Sequence, residues 1–285
     1  MARILRICML NADVPVPAVV TNRAPTYGRI FHELLSAATS HVQPDLEIIS
    51  DDFDVMKGNY PASLSDFDAI IISGSANSAY DDLEWVRKLN TYILNVYQNE
   101  PRVKIFGSCF GHQLMCQSLL NNRGVIVGPD PKGWEIGVHN ITLHDRFRTT
   151  FTKNAATLLE EFPRSVRLQF VHHDHVVLPT INSLPPTWMT VGSTDHCIVQ
   201  GVYEPGRILT LQGHFEFDQF VNAETVKFFF PNLVPEVLSQ HLDAIHADDD
   251  AVAAARMVLA FLLEKSGDQD THKVVGGLLT PPLVE

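Results

Sequence analysis

The chain has 285 residues, of which 45% are hydrophobic and 19% are charged, values typical of a globular protein with a sizeable core. Its 33 acidic and 21 basic side chains give a formal net charge of −12. This excess of negative charge argues against nucleic-acid and anionic-membrane partners, because both bind clustered positive charge. The first apolar stretch is too short for a signal peptide and no segment is as long as a membrane span, so we expect a cytoplasmic protein.

The first half of the chain alternates short apolar runs with segments of helical spacing. Strands are predicted at residues 3–10, 46–50, 68–72 and 103–106. Helices are predicted at residues 27–39 and 83–97, and Pro15 and Pro17 forbid regular structure after the first strand. This alternation predicts parallel β-α units and a doubly wound α/β sheet.

The second half of the chain is richer in strands. Extended segments are predicted at residues 136–143, 167–171, 190–191, 198–203 and 208–211. Helical spacing returns at residues 223–230 and 251–263. Because no repeat or linker marks a boundary, we expect one domain over residues 1–265 and a C-terminal tail over residues 266–285.

The four cysteines match neither the spacing of a zinc site nor a dense disulfide framework. A chain of this length does not need disulfides, so we expect reduced thiols. Cys8, Cys116 and Cys197 are best explained as core residues, since free cysteine is among the most buried residue types. Cys109 differs from them, because a glycine stands two positions before it and another two positions after it.

The most informative stretch is G-x-C-x-G at residues 107–111, which follows an apolar strand and precedes an apolar helix. This is the nucleophile-elbow pattern with cysteine in place of serine. The glycines are needed because side chains beside the strained turn would collide with the neighbouring strand and helix. The turn would place the sulfur of Cys109 at a helix N-terminus, which favours the thiolate, and the amide of Phe110 would help to bind an oxyanion.

A cysteine nucleophile needs a base and a group that orients the base. His214 follows the apolar run that ends at Leu211, and Glu216 lies two residues further on. A lone histidine after a strand is more often structural than catalytic. With an elbow upstream and a carboxylate beside it, His214 becomes the predicted base of Cys109, and Glu216 the predicted orienting residue.

Five motifs together resemble the class I glutamine amidotransferase family. G-x-C-x-G-x-Q at residues 107–113 is followed by Q-x-H-x-E at residues 212–216. Residues 68–82, 132–137 and 171–174 resemble the family's oxyanion loop, its E-x-G strand and its S-H-G-D turn. In detail, the chain looks most like the guanylate-synthase-like amidotransferase homologues of fungi and plants, which include γ-glutamyl peptidases. The resemblance implies a flavodoxin-like fold, with a mostly parallel sheet flanked by helices and an additional small antiparallel sheet.

The resemblance also implies a cysteine-dependent hydrolase or amidotransferase that acts on a small-molecule γ-glutamyl amide, either glutamine or a γ-glutamyl peptide. Cys109 would form a γ-glutamyl thioester with His214 as base. Gly74 and Phe110 would supply the amides of the oxyanion hole. No cofactor and no metal ion are implied. The residues that would bind the substrate's amino-acid end are Gln113, Val171, His172, His173 and Asp174.

Three residues depart from the family pattern. Ala76 stands in the oxyanion loop where glycine is usual, His173 replaces the glycine of the S-H-G-D turn, and Phe215 replaces a proline between histidine and glutamate. We expect these departures to affect the substrate rather than the thioester chemistry, and to disfavour free glutamine. A larger γ-glutamyl compound, or an unrelated amide or ester, is then the alternative ligand.

A second open question is where the ammonia released from an amide substrate would go. The chain contains neither a G-x-x-x-x-G-K-[ST] loop nor an S-G-G-x-D-S motif, so it is not expected to drive amination with ATP. Either the protein passes ammonia to a separate synthase partner, or it is simply a hydrolase. The second alternative is favoured. A further alternative is an amidotransferase-like enzyme recruited to a non-glutamine substrate in specialised metabolism, and a non-catalytic binding protein is less favoured.

Two other hydrolase classes share part of the pattern. Residues 172–175 contain several metal-binding side chains, but neighbours on a strand alternate faces and cannot all reach one ion. A dienelactone-type α/β-hydrolase would also carry a G-x-C-x-G elbow, with Asp195 orienting His214. Glu216 and the loop at Gly74 favour the amidotransferase.

Overall fold

The computed structural model describes residues 3–155, 158 and 162–265, so the predicted tail at residues 266–285 lies outside the described residues. The strands are β1 (Arg3–Asn11), β2 (Leu46–Asp54), β3 (Ala69–Ile72), β4 (Lys104–Ser108), β5 (Ile126–Pro129), β6 (Glu135–Leu143), β7 (Ser165–His172), β8 (Asp174–Val177), β9 (Met189–Thr190), β10 (Gly192–Ser193), β11 (Val202–Glu204) and β12 (Ile208–Leu211). The α-helices are α1 (Pro17–Asn22), α2 (Tyr27–Val42), α3 (Glu84–Asn99), α4 (Phe110–Leu120), α5 (Asp145–Asn154), α6 (Gln219–Phe229), α7 (Pro235–Ile245) and α8 (Ala251–Leu263). Among these helices, none combines the length and the apolar character needed to cross a bilayer.

A seven-stranded sheet in the order β2-β1-β3-β4-β12-β11-β9 forms the centre of the fold. Its first five strands pair in parallel, and β11 and β9 add antiparallel at one edge. Each face is covered by an apolar cluster, and the side chains of β3 alternate between them. Ala69 and Ile71 join one cluster, whereas Ile70 and Ile72 join the other. Burial on both faces explains the continuous apolar run of β3, and the predicted doubly wound α/β class is confirmed.

Two smaller sheets lie beside the central one. Strands β10, β6 and β7 form an antiparallel sheet of three, and β5 pairs antiparallel with β8. The backbone amide of His214 donates to the carbonyl of Gln169 in β7 over 2.8 Å. This bridge ties the three-stranded sheet to the end of β12, so that both sheets contribute to the same region of the surface.

Several segments differ from the sequence-based expectation. The predicted strand at residues 198–203 is regular only at Val202–Glu204, because the chain before it closes a turn from Thr194 to Cys197. Pro17 is the first residue of α1, where its missing N–H costs nothing, so it starts a helix rather than preventing one. Helices α5 and α7 and strands β5, β8 and β10 were not predicted.

The C-terminal helix α8 is followed directly by a buried carboxyl group. Glu264 is 4% exposed, and it accepts hydrogen bonds from the hydroxyl of Tyr203 (2.7 Å) and the amide of Gly206 (2.8 Å). Burial raises the pKa of Glu264 to about 7, although both donors act to lower it. The carboxyl group that holds the end of α8 against the β11–β12 hairpin therefore takes up a proton near neutral pH.

This raised pKa predicts a pH-dependent contribution to stability. The folded pKa of about 7 lies above the ordinary value of 4.5. The contribution of Glu264 to the free energy of unfolding is therefore complete below the ordinary pKa, and it is lost as the pH rises through the pKa of the folded state. We expect wild type to lose up to roughly 3 kcal/mol more unfolding free energy between about pH 5 and about pH 8 than Glu264→Gln. Urea unfolding measures the difference, with the exposed Glu47→Gln as the matched control, and equal pH responses of wild type and Glu264→Gln would contradict it.

Candidate active site

Cys109 stands between β4 and α4 in a strained backbone conformation. Its φ of 48° makes it the one non-glycine residue with positive φ in the part of the chain that the structure describes. It is the N-cap of α4, and its amide donates to the carbonyl of Leu211 in β12 over 2.8 Å. Such conformations typically cost about 1–3 kcal/mol and occur mostly at functional sites. The predicted nucleophile elbow is therefore present in the backbone.

The two glycines of the elbow stand where the backbone leaves no room for a side chain. A Cβ on Gly107 would lie 2.6 Å from the carbonyl carbon of Gly111. A Cβ on Gly111 would lie 2.6 Å from the carbonyl oxygen of Ile72 in the neighbouring strand β3. Contacts under 3.0 Å essentially never occur for real Cβ atoms. The reason given for these glycines from the sequence is confirmed.

His214 and Glu216 lie together at the end of β12. The Nδ1 of His214 is 2.7 Å from Oε1 of Glu216, and the hydroxyl of Ser108 donates to the same oxygen over 2.8 Å. The imidazole stacks on Phe217, with the ring centroids 4.0 Å apart. All of these polar side chains are buried. Nε2 of His214 makes no hydrogen bond among the described residues, so it is the ring nitrogen available to a thiol or a substrate.

The charge environment of His214 favours the imidazolium. Burial by itself lowers the pKa of His214, but the negative charges of Glu216 and of a Cys109 thiolate outweigh it and raise the pKa well above its usual 6.5. Gly74 lies between these groups, because a Cβ there would be 3.0 Å from Cε1 of His214 and 3.6 Å from the Cβ of Cys109. The predicted nucleophile, base and oxyanion loop thus meet at one point.

The loop that carries Gly74 is held by side chains on both sides. The hydroxyl of Ser73 accepts from the amide of Ala12 and donates to the carbonyl of Gly74, both over 2.9 Å. The carboxylate of Asp13 accepts from the amide of Ala76 over 2.7 Å. Phe110 is the first residue of α4, and the first amides of a helix have no acceptor within it. The amides of Gly74 and Phe110 remain the predicted oxyanion donors.

A chain of amide side chains connects Cys109 to the turn at Asp174. The Nε2 of Gln212 donates to the sulfur of Cys109 over 3.4 Å. In turn, Nε2 of Gln113 donates to Oε1 of Gln212 (3.0 Å) and to the backbone carbonyl of Asp174 (2.9 Å). Both hydrogens of the Gln113 amide nitrogen therefore go to protein acceptors. No role was predicted for Gln212, although its place in Q-x-H-x-E was the available signal.

His172 connects the turn at residues 171–174 to the strand β6. Its Nε2 is 2.8 Å from Oε2 of Glu135, and its Nδ1 is 2.9 Å from the carbonyl of Asp174. Thr194 and Gln200 also donate to Glu135. Burial acts to raise the pKa of Glu135, but His172 and these donors lower it to about 2. The carboxylate stays ionised and fixes the position of the turn.

The side chains of the turn border a cavity of about 380 Å³ that is also lined by Cys109. The predicted site residues that line it are Gly74, Cys109, Gln113, Val171, His172, His173, Asp174 and His214. Phe110 and Glu216 lie behind this lining, where the first can act through its backbone amide and the second through His214. The cavity thus collects most of the predicted site, and it falls within the size range of small-molecule sites.

The three departures from the family pattern are not equivalent. Ala76 and His173 line the cavity, and His173 stacks against Trp134 with ring centroids 5.4 Å apart. Phe215 is fully buried and packs against Phe31 at 5.3 Å. Phe215 is therefore no part of the cavity lining, and the expectation that it affects the substrate finds no support in a direct contact.

The residues on which the two rival hydrolase classes depend have other contacts in the structure. His172 binds Glu135, and Nδ1 of His175 is 3.0 Å from a carboxylate oxygen of Asp130. Across the described ranges, no group of three histidine, cysteine or carboxylate side chains is arranged to hold a metal ion. Asp195 is exposed and lines a different groove from Cys109, whereas Glu216 contacts His214.

The environments of the cysteines predict that one of them reacts selectively. Cys109 lines the cavity, whereas Cys8, Cys116 and Cys197 are at most 1% exposed and burial raises the pKa of all three thiols. We expect limiting iodoacetamide to add a single group to the native protein, mapped to Cys109 by peptide mass spectrometry. Cys116→Ala should still take up one group and Cys109→Ala none. Labelling spread over several cysteines would contradict this expectation.

Comparison with known proteins finds relatives that match most of the chain. The chain is 29% identical over 268 residues to a glutamine amidotransferase-like protein of Schizosaccharomyces pombe, covering 90% of this chain and 98% of that protein. It is 28% identical over 205 residues to γ-glutamyl peptidase 2 of Arabidopsis thaliana, covering 70% of this chain and 73% of the peptidase.

Solved structures share the fold at lower identity. A glutamine amidotransferase from Thermotoga maritima superposes with a TM-score of 0.58 at 18% identity, over 92% of this chain and 97% of its own. One from Methylobacillus flagellatus has a TM-score of 0.55 at 14% identity, over 92% and 93% of the two chains. The profile of the family described as glutamine amidotransferase class-I matches residues 27–231. The chain therefore belongs to the class I glutamine amidotransferase family.

Proposed function

We propose that this protein is a cysteine-dependent hydrolase that cleaves a γ-glutamyl amide, either glutamine or a γ-glutamyl peptide, through a thioester on Cys109. One observation carries the proposal. Cys109, in its strained conformation, lines the same cavity as His214, and His214 is hydrogen-bonded to Glu216. The γ-glutamyl peptidases among the relatives support the choice of bond. Because the nucleophile must be a free thiol, a reducing compartment such as the cytoplasm is the proposed location.

The first half of the reaction forms the thioester. The thiolate of Cys109 attacks the γ-carbonyl carbon, and the oxyanion that develops is bound by the amides of Gly74 and Phe110. The His214 imidazolium, held by Glu216, gives its proton to the amide nitrogen as the carbon–nitrogen bond breaks. The amine or ammonia then leaves, and the γ-glutamyl group remains bonded to sulfur.

The second half of the reaction returns the free enzyme. His214, now neutral, removes a proton from a water molecule that attacks the thioester carbonyl. The carbon–sulfur bond breaks, Cys109 leaves as the thiolate, and glutamate is released. Backbone groups at residues 171–174 and the side chain of Gln113 are the proposed grip on the α-amino and α-carboxylate groups of the substrate.

A covalent intermediate can be tested directly by intact-protein mass spectrometry. Wild type, mixed with glutamine and a panel of γ-glutamyl amides, is expected to carry a γ-glutamyl adduct and to release amine or ammonia, whereas Cys109→Ala should do neither. Cys109→Ser and His214→Ala should each reduce turnover by at least about a thousandfold, and Glu216→Ala by less. Near-normal turnover by Cys109→Ser would contradict the thioester route. Turnover that appears only after addition of a separate synthase would identify a partner-gated glutaminase subunit.

The raised pKa of His214 predicts the alkaline limit of activity. The imidazolium protonates the leaving amine, so kcat/KM should fall only when the pH rises through a pKa well above the usual 6.5. Glu216→Gln removes the negative charge that raises this pKa, and its alkaline limit should move to lower pH by at least about one unit. The pH dependence of kcat/KM provides the measurement. Glu224→Gln, at an ion pair with Lys227 outside the cavity, should keep the wild-type limit.

A further inference from the structure

One part of the cavity wall consists of aromatic rings, which we call the aromatic rim: Trp134, His173, Phe229 and Phe230. The ring of Trp134 stands perpendicular to that of Phe230 with centroids 4.8 Å apart, and it is tilted by 34° against His173 at 5.4 Å. Phe230 itself packs against the small apolar cluster under α6 and α7, which anchors the rim. Trp134, His173 and Phe230 are therefore packed against one another, and Phe229 borders the same cavity beside them.

The aromatic rim keeps much of its surface uncovered. Trp134 is 49% exposed and Phe229 is 46% exposed, although both border the cavity that holds Cys109. Aromatic groups bury large areas when a ring packs against them, and exposed apolar surface beside a site typically marks where a ligand binds. Free glutamine loses only ammonia, so its leaving group would cover none of these rings.

The charge of the cavity wall restricts what can bind the rim. Among the described lining residues there are two carboxylates, Asp13 and Asp174, and no lysine or arginine. Asp174 accepts hydrogen bonds from the neutral hydroxyls of Ser78 and Tyr80, and the ring of His173 lies 3.9 Å from it. The whole chain carries a formal charge of −12. A ligand that adds a carboxylate here would meet these two carboxylates and no lysine or arginine in the described lining, and the positive charge of the His214 imidazolium is already paired with Glu216.

We propose that the preferred substrates are γ-glutamyl amides of amines that carry an aromatic ring and no carboxylate, with the ring bound on the aromatic rim. This inference rests on the proposed thioester hydrolysis of a γ-glutamyl amide, and at the same site it prefers arylalkyl amides to glutamine and γ-glutamyl peptides. The glutamyl head group is a zwitterion and adds no net charge, whereas an amino-acid or peptide leaving group adds a carboxylate. The reaction is the same hydrolysis: water is consumed, the amide bond breaks, and glutamate and an arylalkyl amine are released.

Three substrates separate the two parts of the proposal. γ-Glutamyl-ethylamide and γ-glutamyl-phenethylamide differ by the ring, and γ-glutamyl-phenethylamide and γ-glutamyl-phenylalanine differ by the carboxylate. We expect kcat/KM for the phenethylamide to exceed that of each of the other two by about tenfold, measured by release of amine and glutamate. Equal values for the ethylamide and phenethylamide, or a preference for the phenylalanine derivative, would overturn the proposal.

Substitutions test whether the aromatic rim causes the preference for the phenethylamide. Trp134→Ala should bring the ratio of phenethylamide to ethylamide kcat/KM close to one, and Phe229→Ala should lower it in the same direction. Phe228→Ala is the matched control, since Phe228 is 54% exposed and adjacent to Phe229 but is not part of the cavity lining. A general loss of structure would lower both rates and leave their ratio unchanged, which would count against the rim.

The outcomes also distinguish this inference from the proposed function. Turnover of glutamine or the ethylamide without any preference for the ring would leave the thioester mechanism in place and refute only the aromatic subsite. The absence of both turnover and a Cys109 adduct with every member of the panel would refute the proposed function and the aromatic subsite together.

Discussion

The geometry of the cavity depends on the close approach of the backbone at the junction of β3, β4 and α4. There the helix lies so close to the sheet that neither Gly107 nor Gly111 could carry a side chain. The close approach leaves a single residue, Cys109, to make the turn from strand to helix, and that turn requires its positive φ. Its sulfur consequently stands at the N-terminus of α4, where the helix dipole favours negative charge.

Strand β12 extends this arrangement by pairing with β4. Cys109 donates its amide to Leu211 at the end of β12, so the segment that follows is held directly beside the elbow. Ser108 and His214 contact the same oxygen of Glu216. Ser108, the residue before Cys109, therefore helps to orient the carboxylate behind the proposed base. Burial around His214 would favour the neutral ring, and the adjacent negative charges reverse that preference.

The parts of the fold that could be predicted are those with strong local signals. The apolar run of β3 is buried on both faces, and the spacing of glycines around Cys109 records backbone contacts that tolerate no substitution. Helix α5 has only Phe147 and Phe151 as buried apolar residues, so its periodicity was too weak to detect. Phe215 looked like a substrate-facing departure because a sequence does not reveal which side of the chain faces the core.

Contacts between distant segments explain what the sequence could not provide about the site. Glu135 and His172 are register partners on β6 and β7. Because of that pairing, His172 binds Glu135 and stabilises the predicted substrate-binding turn. The same holds for Trp134, just before β6, and Phe230, just after α6, which meet only in the folded chain. Neither contact can be recognised from the spacing of residues along the sequence.

Ser108 and Glu216 are 108 positions apart, and the segment with the imidazole is therefore synthesised long after the strand with the thiol. Under the proposed function, a nascent chain from which β4 and α4 have already emerged would carry Cys109 before the segment with its base has been made. The proposed site would then be assembled only when β12 pairs with β4.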